Sequence, residues 1–290
     1  MSSRAESATG IMRSIRSLAR DPMGLLGVTL VMIFLLMALL APIISPYDPL
    51  KISVMSKFQS PNLSHWLGTD HLGRDTLSRI IYGSRTALSI ALTATGLAGL
   101  FGLLLGLIAG FGPRWLDGIL VLLFDSMSSL PMILFALAVI TVLGPGTATL
   151  ILVIVLVSIP SYARLIRAQT LTLKNSDFVV AERSIGASSP RIILRHLLPN
   201  VVGPLVIILS MDIPVVIMLE AGLSYLNLGV RPPTPSWGNI LYDGYTSLRY
   251  APTLVITAGV PLVLATLGFT FLGEGLRDAL DPKLQVRGLR

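Results

Sequence analysis

The chain has no cysteine, and charged side chains are scarce among its 290 residues. Without cysteine it cannot form a disulfide, a thiolate metal site or a cysteine nucleophile. Charged residues make up 13% of the sequence and hydrophobic ones 53%, whereas soluble domains are about a quarter charged. Together with a mean hydropathy of +0.78, this composition excludes a water-soluble globule and predicts an integral membrane protein.

Motifs of common catalytic sites are also missing. The sequence contains no G-x-x-x-x-G-K-[ST] phosphate loop, no H-E-x-x-H pair and no G-x-S-x-G elbow. We therefore predict that the chain is not an enzyme and does not hydrolyse ATP by itself. His65 and His71 lie near Asp70 and Asp75, but such loose spacing arises easily by chance, and no metal site is predicted.

Long apolar runs dominate what remains. A helix needs about 20 residues to cross a bilayer core of about 30 Å, and the runs reach this length. We predict an all-α integral membrane protein with six transmembrane helices, at residues 24–45, 86–111, 116–143, 149–168, 201–228 and 252–272. The first run is too long for a signal-peptide core, so it is expected to remain as an anchor.

Basic residues indicate how the chain is oriented. They gather before the first span, around the loop between the fourth and fifth spans, and after the sixth, which places the N and C termini in the cytoplasm. The net charge of +7 is thus a topology signal and does not indicate nucleic-acid binding. Five other basic residues fall on the opposite side, in the segment between the first and second spans: Lys51, Lys57, Arg74, Arg79 and Arg85. Basic residues in a long loop influence the orientation of the chain less than those in short loops.

This topology divides the chain into five parts. They are a cytoplasmic N-terminal segment at 1–23, an anchor helix at 24–45, a periplasmic segment at 46–85, a five-helix core at 86–272 with a cytoplasmic loop at 172–200, and a cytoplasmic tail at 273–290. In the first part, Ile11, Ile15 and Leu18 have helical spacing. They indicate either a helix lying on anionic lipid or an arginine-marked flank that only sets orientation.

Two features of the predicted spans concern packing and transport. Gly102, Gly106 and Gly110 share one helical face, which lets another helix approach closely. Three acidic residues also lie within spans, namely Asp125, Asp212 and Glu220. A carboxylate facing lipid costs several kcal/mol, so each of them lies either in a translocation path or gate or in a structural contact with another helix.

The cytoplasmic loop is the most informative segment. Residues 178–185 are predicted to form one helix, Gly186 breaks it, and Ser189 and Pro190 begin a second helix that Pro199 is expected to close. Ordinary short connections seldom carry this much ordered apolar sequence. We predict that the loop docks a soluble partner.

The loop resembles the coupling motif of permease subunits in binding-protein-dependent ABC importers. In that motif a Glu-Ala-Ala triplet is followed by a glycine; here the positions are Val180, Ala181, Glu182 and Gly186, so Val180 replaces the usual first acid. Three further segments are similar to the C-type subunit of the dipeptide, oligopeptide and nickel permease group: LGTDHLGRDTLSRIIYGSRTAL at 67–88, GLSYLNLGVRPPTPSWGNIL at 222–241 and GEGLRDALDPKL at 273–284.

The resemblance implies a type I ABC importer permease of the MetI-like fold in the inner membrane of a bacterial cell. It implies a homologous B-type permease, two cytoplasmic ATP-binding subunits that use ATP and Mg, and a periplasmic or lipid-anchored solute-binding protein, with no cofactor on this chain. Di- or oligopeptides are the expected substrates. The expected ATPase-coupling residues are Val180, Ala181, Glu182, Gly186, Ala187, Ser188, Ile192, Leu197 and Pro199. Among them, Ile192 and Leu197 are expected to anchor the second helix against the bundle.

Other functions remain open from the sequence. The alternative is a secondary transporter or channel that works without an ATPase, although such proteins often show two repeated halves and no repeat is found here. Nickel complexes, glutathione, and opine-like or sugar ligands are alternative substrates. The segment at 222–241 is predicted to form part of an outer gate or of the dock for the binding protein. The alternative and commoner role for Trp237, Tyr242, Tyr245 and Tyr250 is an aromatic belt at the headgroups.

Overall fold

The computed structural model describes residues 21–280, and their regular structure is helical apart from an isolated bridge between Thr69 and Asp75. A short 3₁₀ turn at Val54–Ser56 and a π turn at Ile193–Leu197 accompany the helices. The α-helices are α1 (Pro22–Leu39), α2 (Ala41–Ile44), α3 (Thr76–Phe111), α4 (Arg114–Ser128), α5 (Met132–Leu143), α6 (Thr147–Lys174), α7 (Asp177–Ser184), α8 (Ser189–Ile192), α9 (Leu198–Tyr225), α10 (Trp237–Thr246) and α11 (Thr253–Leu280).

Five stretches of these helices are long and apolar enough to cross a membrane: α1, α3, α6, the continuous run Ser189–Tyr225, and α11. The segment predicted as a span at 116–143 is not one unbroken helix. That segment forms α4 and α5, which are bent by 91° at a short break and make a sixth candidate if they count as one span. Pro131 lies at the break; it has no N–H and disfavours helical geometry at the residue before it.

Helix ends differ from the predicted span ends. α3 begins at Thr76 rather than near residue 86, and α11 continues to Leu280. At the other end of the chain, the Asp21 carboxylate accepts the backbone N–H of Gly24 at 2.8 Å, and Pro22 occupies the first turn of α1. This is the usual chemistry of a helix start. The predicted N-terminal helix and the last ten residues of the tail lie outside the described residues.

The helices form two compact units. The first contains residues 21–92, Leu143–Leu150 and 210–280. In this unit α11 runs along α1 and packs on α10. Gly268 of α11 leaves room for Leu30 of α1, since a Cβ there would meet the Leu30 Cβ at 2.8 Å. The ring of Phe34 meets the buried ring of Trp237 edge-on, with centroids 5.7 Å apart.

The second unit contains Thr93–Val142 and Ile151–Leu209. Here the predicted glycine face of α3 packs directly on α6. A Cβ at Gly102 would lie 2.5 Å from the Cβ of Tyr162, and one at Gly106 would lie 2.6 Å from the carbonyl oxygen of Ala163. Tyr162 and Ala163 are fully buried. Close backbone approach of this kind is how helices associate in lipid, where no hydrophobic force drives them together.

Candidate functional site

The loop between α6 and α9 forms two helices joined by a tight turn. α7 ends at Ser184, and Gly186 follows with φ +82°, a left-handed conformation that L residues rarely adopt. The backbone N–H of Gly186 donates to the carbonyl of Arg183 at 3.0 Å, and that of Ala187 donates to the carbonyl of Glu182 at 3.0 Å. The turn therefore satisfies carbonyls at the end of α7 that would otherwise lack partners.

The sequence predicted that the second helix closes at Pro199, and this prediction is wrong. α8 passes through the π turn into α9, so the helix continues from Ser189 to Tyr225. The N–H of Leu198 bonds back five residues to the carbonyl of Ile193. Proline has no N–H to donate and its ring crowds the preceding turn, and a π turn relieves both effects without ending the helix.

Buried apolar residues anchor this loop to the second unit. Val179 of α7, Ile192 of α8 and Leu197 of the π turn are at most 1% exposed. The anchoring role predicted for Ile192 and Leu197 requires such burial.

Other apolar side chains of the loop face outward. The exposed ones are Phe178, Val180, Ile185 and Leu194, and Ile185 reaches 81% exposure. We call these four residues the loop apolar patch. Ala181, Gly186, Ser188 and Pro199 are exposed as well, while Glu182 and Ala187 are partly buried. An apolar patch on a basic, polar loop is typical of a protein interaction site.

One predicted coupling residue, Glu182, already has a partner within the loop. Its Oε1 lies 3.3 Å from Nε2 of His196, and the His196 ring is 6.1 Å from the ring of Phe178. The sequence does not reveal this proximity, because the two residues lie on opposite sides of the glycine turn. The two side chains meet across that turn, although Nε2 of His196 makes no hydrogen bond within the described residues.

The three acidic residues in the spans have different surroundings. Asp125 is exposed on α4, and its Oδ1 accepts from Nη1 of Arg164 on α6 at 2.9 Å. Nη2 of the same arginine donates to Ser128. Arg164 is one of the basic residues around the loop between the fourth and fifth predicted spans, and the sequence alone indicates no partner for it. Asp212 on α9 is partly buried.

Glu220 is fully buried in the first unit. Its Oε1 accepts the hydroxyls of Ser224 and Ser236, each at 2.8 Å. Ser236 also accepts the N–H of Gly238 and thereby caps α10. Trp237 follows it, and its ring is fully buried with Nε1 donating to the carbonyl of Ile80 at 3.1 Å. The headgroup-belt interpretation is therefore wrong for Trp237, which is part of the core.

A second charged cluster joins the segment after α2 to α10. The Asp70 carboxylate binds Arg74 Nε at 2.7 Å and Arg79 Nη1, and the same Nη1 lies 2.9 Å from Asp243 Oδ2. Burial by itself would raise the pKa of Asp70. Arg79 and Arg74, with the backbone N–H groups of Arg74 and Leu72, outweigh that effect and hold the pKa below its usual value.

This cluster also bears on metal binding. Asp70, His71 and Asp243 have ligand atoms within 4.8 Å of one another, whereas His65 instead pairs with Asp75 at 2.8 Å. Arg74 and Arg79 already bring two positive charges to the two carboxylates. The arrangement fits a structural ion network better than a cation site.

Five or six apolar helices long enough to cross a membrane, together with a helix–glycine–helix loop, define a multi-pass membrane protein. The sequence matches the family described as "Binding-protein-dependent transport system inner membrane component" over residues 102–286, and "N-terminal TM domain of oligopeptide transport permease C" over residues 12–61. The chain belongs to this family and is the permease component of a binding-protein-dependent ABC importer.

Similar proteins cover nearly the whole chain. A dipeptide transport system permease protein of Alkalihalophilus pseudofirmus is 35% identical, covering 94% of this chain and 90% of its own length. A di/tripeptide transport system permease protein of Pseudomonas aeruginosa is 38% identical over 93% of this chain and 91% of its own. A glutathione transport system permease protein of Escherichia coli is 39% identical, with coverages of 93% and 89%.

Solved structures support the fold. A chain of the MetNI methionine ABC transporter in an inward-facing conformation aligns with a TM-score of 0.57, covering 70% of this chain and 96% of that one. Because the sequence identity is only 18%, this similarity supports the MetI-like fold and says nothing about substrate.

Proposed function

We propose that this permease imports di- or oligopeptides, forms half of a translocation path with a homologous B-type permease, and is driven by two ATP-binding subunits that dock on the loop between α6 and α9. The chain binds no cofactor, and ATP and Mg are used by the partners. The observation that carries the proposal is the loop itself, with buried anchors beneath an exposed apolar patch and a glycine turn. The names of the relatives supply the peptide class.

The proposed ATPase contact consists of the outward-facing part of the loop. Val180, Ala181, Gly186 and Ser188 are exposed at or next to the turn, with Glu182 and Ala187 beside them and Pro199 at the far end. Ile192 and Leu197 hold the second helix against the second unit. A rigid loop of this kind transmits a displacement of the ATPase pair to the helices that it joins.

Asp125 and Arg164 are the proposed path residues with the clearest geometry. Arg164 lies ten residues before the end of α6, and Asp125 lies eleven residues after the start of α4. At 1.5 Å per residue, both are about 15 Å from the helix ends that the proposed topology places at the cytoplasm. Exposed charges at this depth must face water or a partner chain.

The other two acids receive less support as path residues. Oε1 of the buried Glu220 accepts the hydroxyls of both Ser224 and Ser236. These hydrogen bonds favour a structural role for Glu220 at the outer end of α9. Asp212 stays in the proposal as a path or gate residue because of its position in a span.

We also propose that the chain lies in the inner membrane of a bacterial cell with six spans, of which α4 and α5 together form one. Both termini are then in the cytoplasm, and the chain has the five-part division given above.

Because the chain has no cysteine, a single introduced cysteine reports on its own position. Leu63→Cys and Ile185→Cys replace residues that are 97% and 81% exposed. An impermeant maleimide should label the first from the periplasm and the second only after the cells are opened. Labelling of both from one side contradicts the topology.

Reconstituted transport tests the function. The importer, with its second permease, ATPases and binding protein, is placed in proteoliposomes, and uptake of labelled dipeptide, oligopeptide and glutathione is compared with and without ATP. We expect ATP-dependent uptake of a peptide. Uptake that persists after ATP depletion while an ion gradient is intact would support the secondary-transporter alternative instead.

A further inference from the structure

The aromatic ring of Phe111, which ends α3, lies close to two cations of the loop between α6 and α9. The Cζ of Arg183, in the last turn of α7, is 5.4 Å from the centroid of the Phe111 ring, and Nζ of Lys174, the last residue of α6, is 5.5 Å from it. Both distances are within the range of about 6 Å at which a cation is attracted by a ring. Phe111 thus contacts the last residue of α6 and the last turn of α7.

Lys174 also binds the backbone at the end of α3. Its Nζ lies 3.3 Å from the carbonyl oxygen of Gly110 and 3.2 Å from that of Phe111. The last carbonyls of a helix lack partners within it, and a cation there is favoured by the helix dipole. The end of α3 is therefore tied to the end of α6 by side-chain and backbone contacts.

The neighbouring packing makes these helix ends act as one body. A Cβ at Gly110 would lie 2.6 Å from the Cβ of Thr170, so α3 and α6 touch with no space between them. α4 joins the same body, because Arg167 of α6 donates to both oxygens of Asp117, at 2.5 and 2.8 Å. A movement of this body therefore reaches α4, which carries Asp125.

Val179 and Arg183 attach α7 to that body. Val179 is buried beneath it, and Arg183 reaches the ring of Phe111 from its last turn. Val180, Ala181 and Glu182, the proposed ATPase contact, lie between these two residues. A displacement of these three residues is therefore resisted at the C-terminal end of α7, where Arg183 contacts the Phe111 ring.

We propose that Phe111 is a positioning residue for transport coupling, whose ring holds Arg183 and so transmits a displacement of α7 to α3, α6 and α4. It acts through Arg183 and Lys174 and touches neither substrate nor nucleotide. The inference rests on the proposed function, because it takes the ATPase subunits as the source of the displacement.

The test is the number of peptides imported per ATP hydrolysed by the complete importer in proteoliposomes, with a labelled dipeptide as the probe. Phe111→Leu removes the ring and keeps an apolar side chain. We expect the ratio to fall by about fivefold while ATP hydrolysis stays within about twofold of wild type. Arg183→Gln should do the same, the double variant should be no worse than either, and Phe111→Tyr and Arg183→Lys should keep the wild-type ratio.

Controls separate positioning from general damage. A misfolded fraction lowers import and hydrolysis together and leaves their ratio unchanged. Arg114→Gln is the matched control, since Arg114 is exposed at the start of α4 and makes no ion pair or ring contact within residues 21–280. If Phe111→Leu fails to assemble with the ATPases, the exposed Arg183→Gln decides the question.

An unchanged ratio in Phe111→Leu or in Arg183→Gln, beside a wild-type importer that couples normally, overturns the inference and leaves the proposed function intact. Additive losses in the double variant also overturn it, because they show that the two side chains act separately. A wild-type complex that imports no peptide with ATP contradicts the proposed function, and the inference falls with it.

Discussion

At the scale of single residues, opposite charges hold distant parts of the chain together. Arg79 bridges Asp70, nine residues earlier, and Asp243, 164 residues later. Both Arg79 and Asp70 are at least 97% buried. Removing one partner of such a buried pair costs about 3–5 kcal/mol, since it leaves a charge without compensation. This network fixes the segment after α2 on α10.

Asp70 should make stability depend on pH below the neutral range. Its pKa in the folded protein is lowered, so its contribution is complete above the unfolded-state pKa of about 3.9 and is lost as the pH falls through the folded value. We expect Asp70→Asn to lower the unfolding temperature at pH 7 and to converge with wild type as the pH is lowered below about 4. Tryptophan fluorescence during heating measures this.

The matched control for Asp70 is Asp48→Asn, an exposed carboxylate in the same segment. It should leave the unfolding temperature nearly unchanged at every pH. A difference between wild type and Asp70→Asn that stays constant on acidification would show that the charge of Asp70 is not what stabilises the segment.

The ion pair of Asp125 and Arg164 gives a prediction about transport. Exposed pairs contribute up to about 1 kcal/mol, so Asp125→Asn and Arg164→Gln should each lower ATP-driven uptake by about fivefold. Exchanging the charges, with Asp125→Arg and Arg164→Asp together, should recover most of the loss if the pair itself is what matters. Uptake in the exchanged variant that is no better than in the single variants would contradict this role.

At the scale of elements, the turn between α7 and α8 depends on one backbone conformation. Proline fixes φ near −65°, while Gly186 has φ +82° and its N–H donates to Arg183. Gly186→Pro should therefore abolish ATP-driven uptake and leave membrane insertion intact. Gly186→Asn is the control, because asparagine tolerates left-handed φ, and it should retain most of the uptake. Normal transport in Gly186→Pro would show that the turn does not couple.

The helices also show where proline acts differently from one position to another. At Pro131 the chain bends by 91°, whereas at Pro199 a π turn absorbs the missing N–H and the helix continues. A sequence marks both prolines as possible ends.

At the scale of the whole molecule, hydropathy predicted most of the helices and glycine spacing predicted that one face of α3 is closely packed, because both patterns are local. The sequence did not name α6 as the partner of that face. Long-range partners could not be predicted in the same way. Arg74 and Arg79 run against the distribution of basic residues on which the predicted topology rests, and in the structure both contact Asp70 and Asp243. The contact of Arg164 with Asp125 likewise depends on α4 lying beside α6.

The candidate site was predictable to a similar extent. The loop, its glycine turn and its anchoring residues follow from a pattern of apolar residues on either side of Gly186. The contacts of His196 with Glu182 and of Phe111 with Arg183 join residues from different helices. Only the packing of those helices reveals them.

Crosslinking from Ser188 in native membrane vesicles tests the central claim most directly. Ser188 is exposed next to the glycine turn, and Ser188→Cys is the only cysteine of the variant chain. We predict that a short thiol crosslinker captures an ATP-hydrolysing subunit, and that Leu63→Cys, on the proposed periplasmic side, does not. Vesicles in which Ser188→Cys never captures such a subunit, although the importer is assembled and active, would contradict the account.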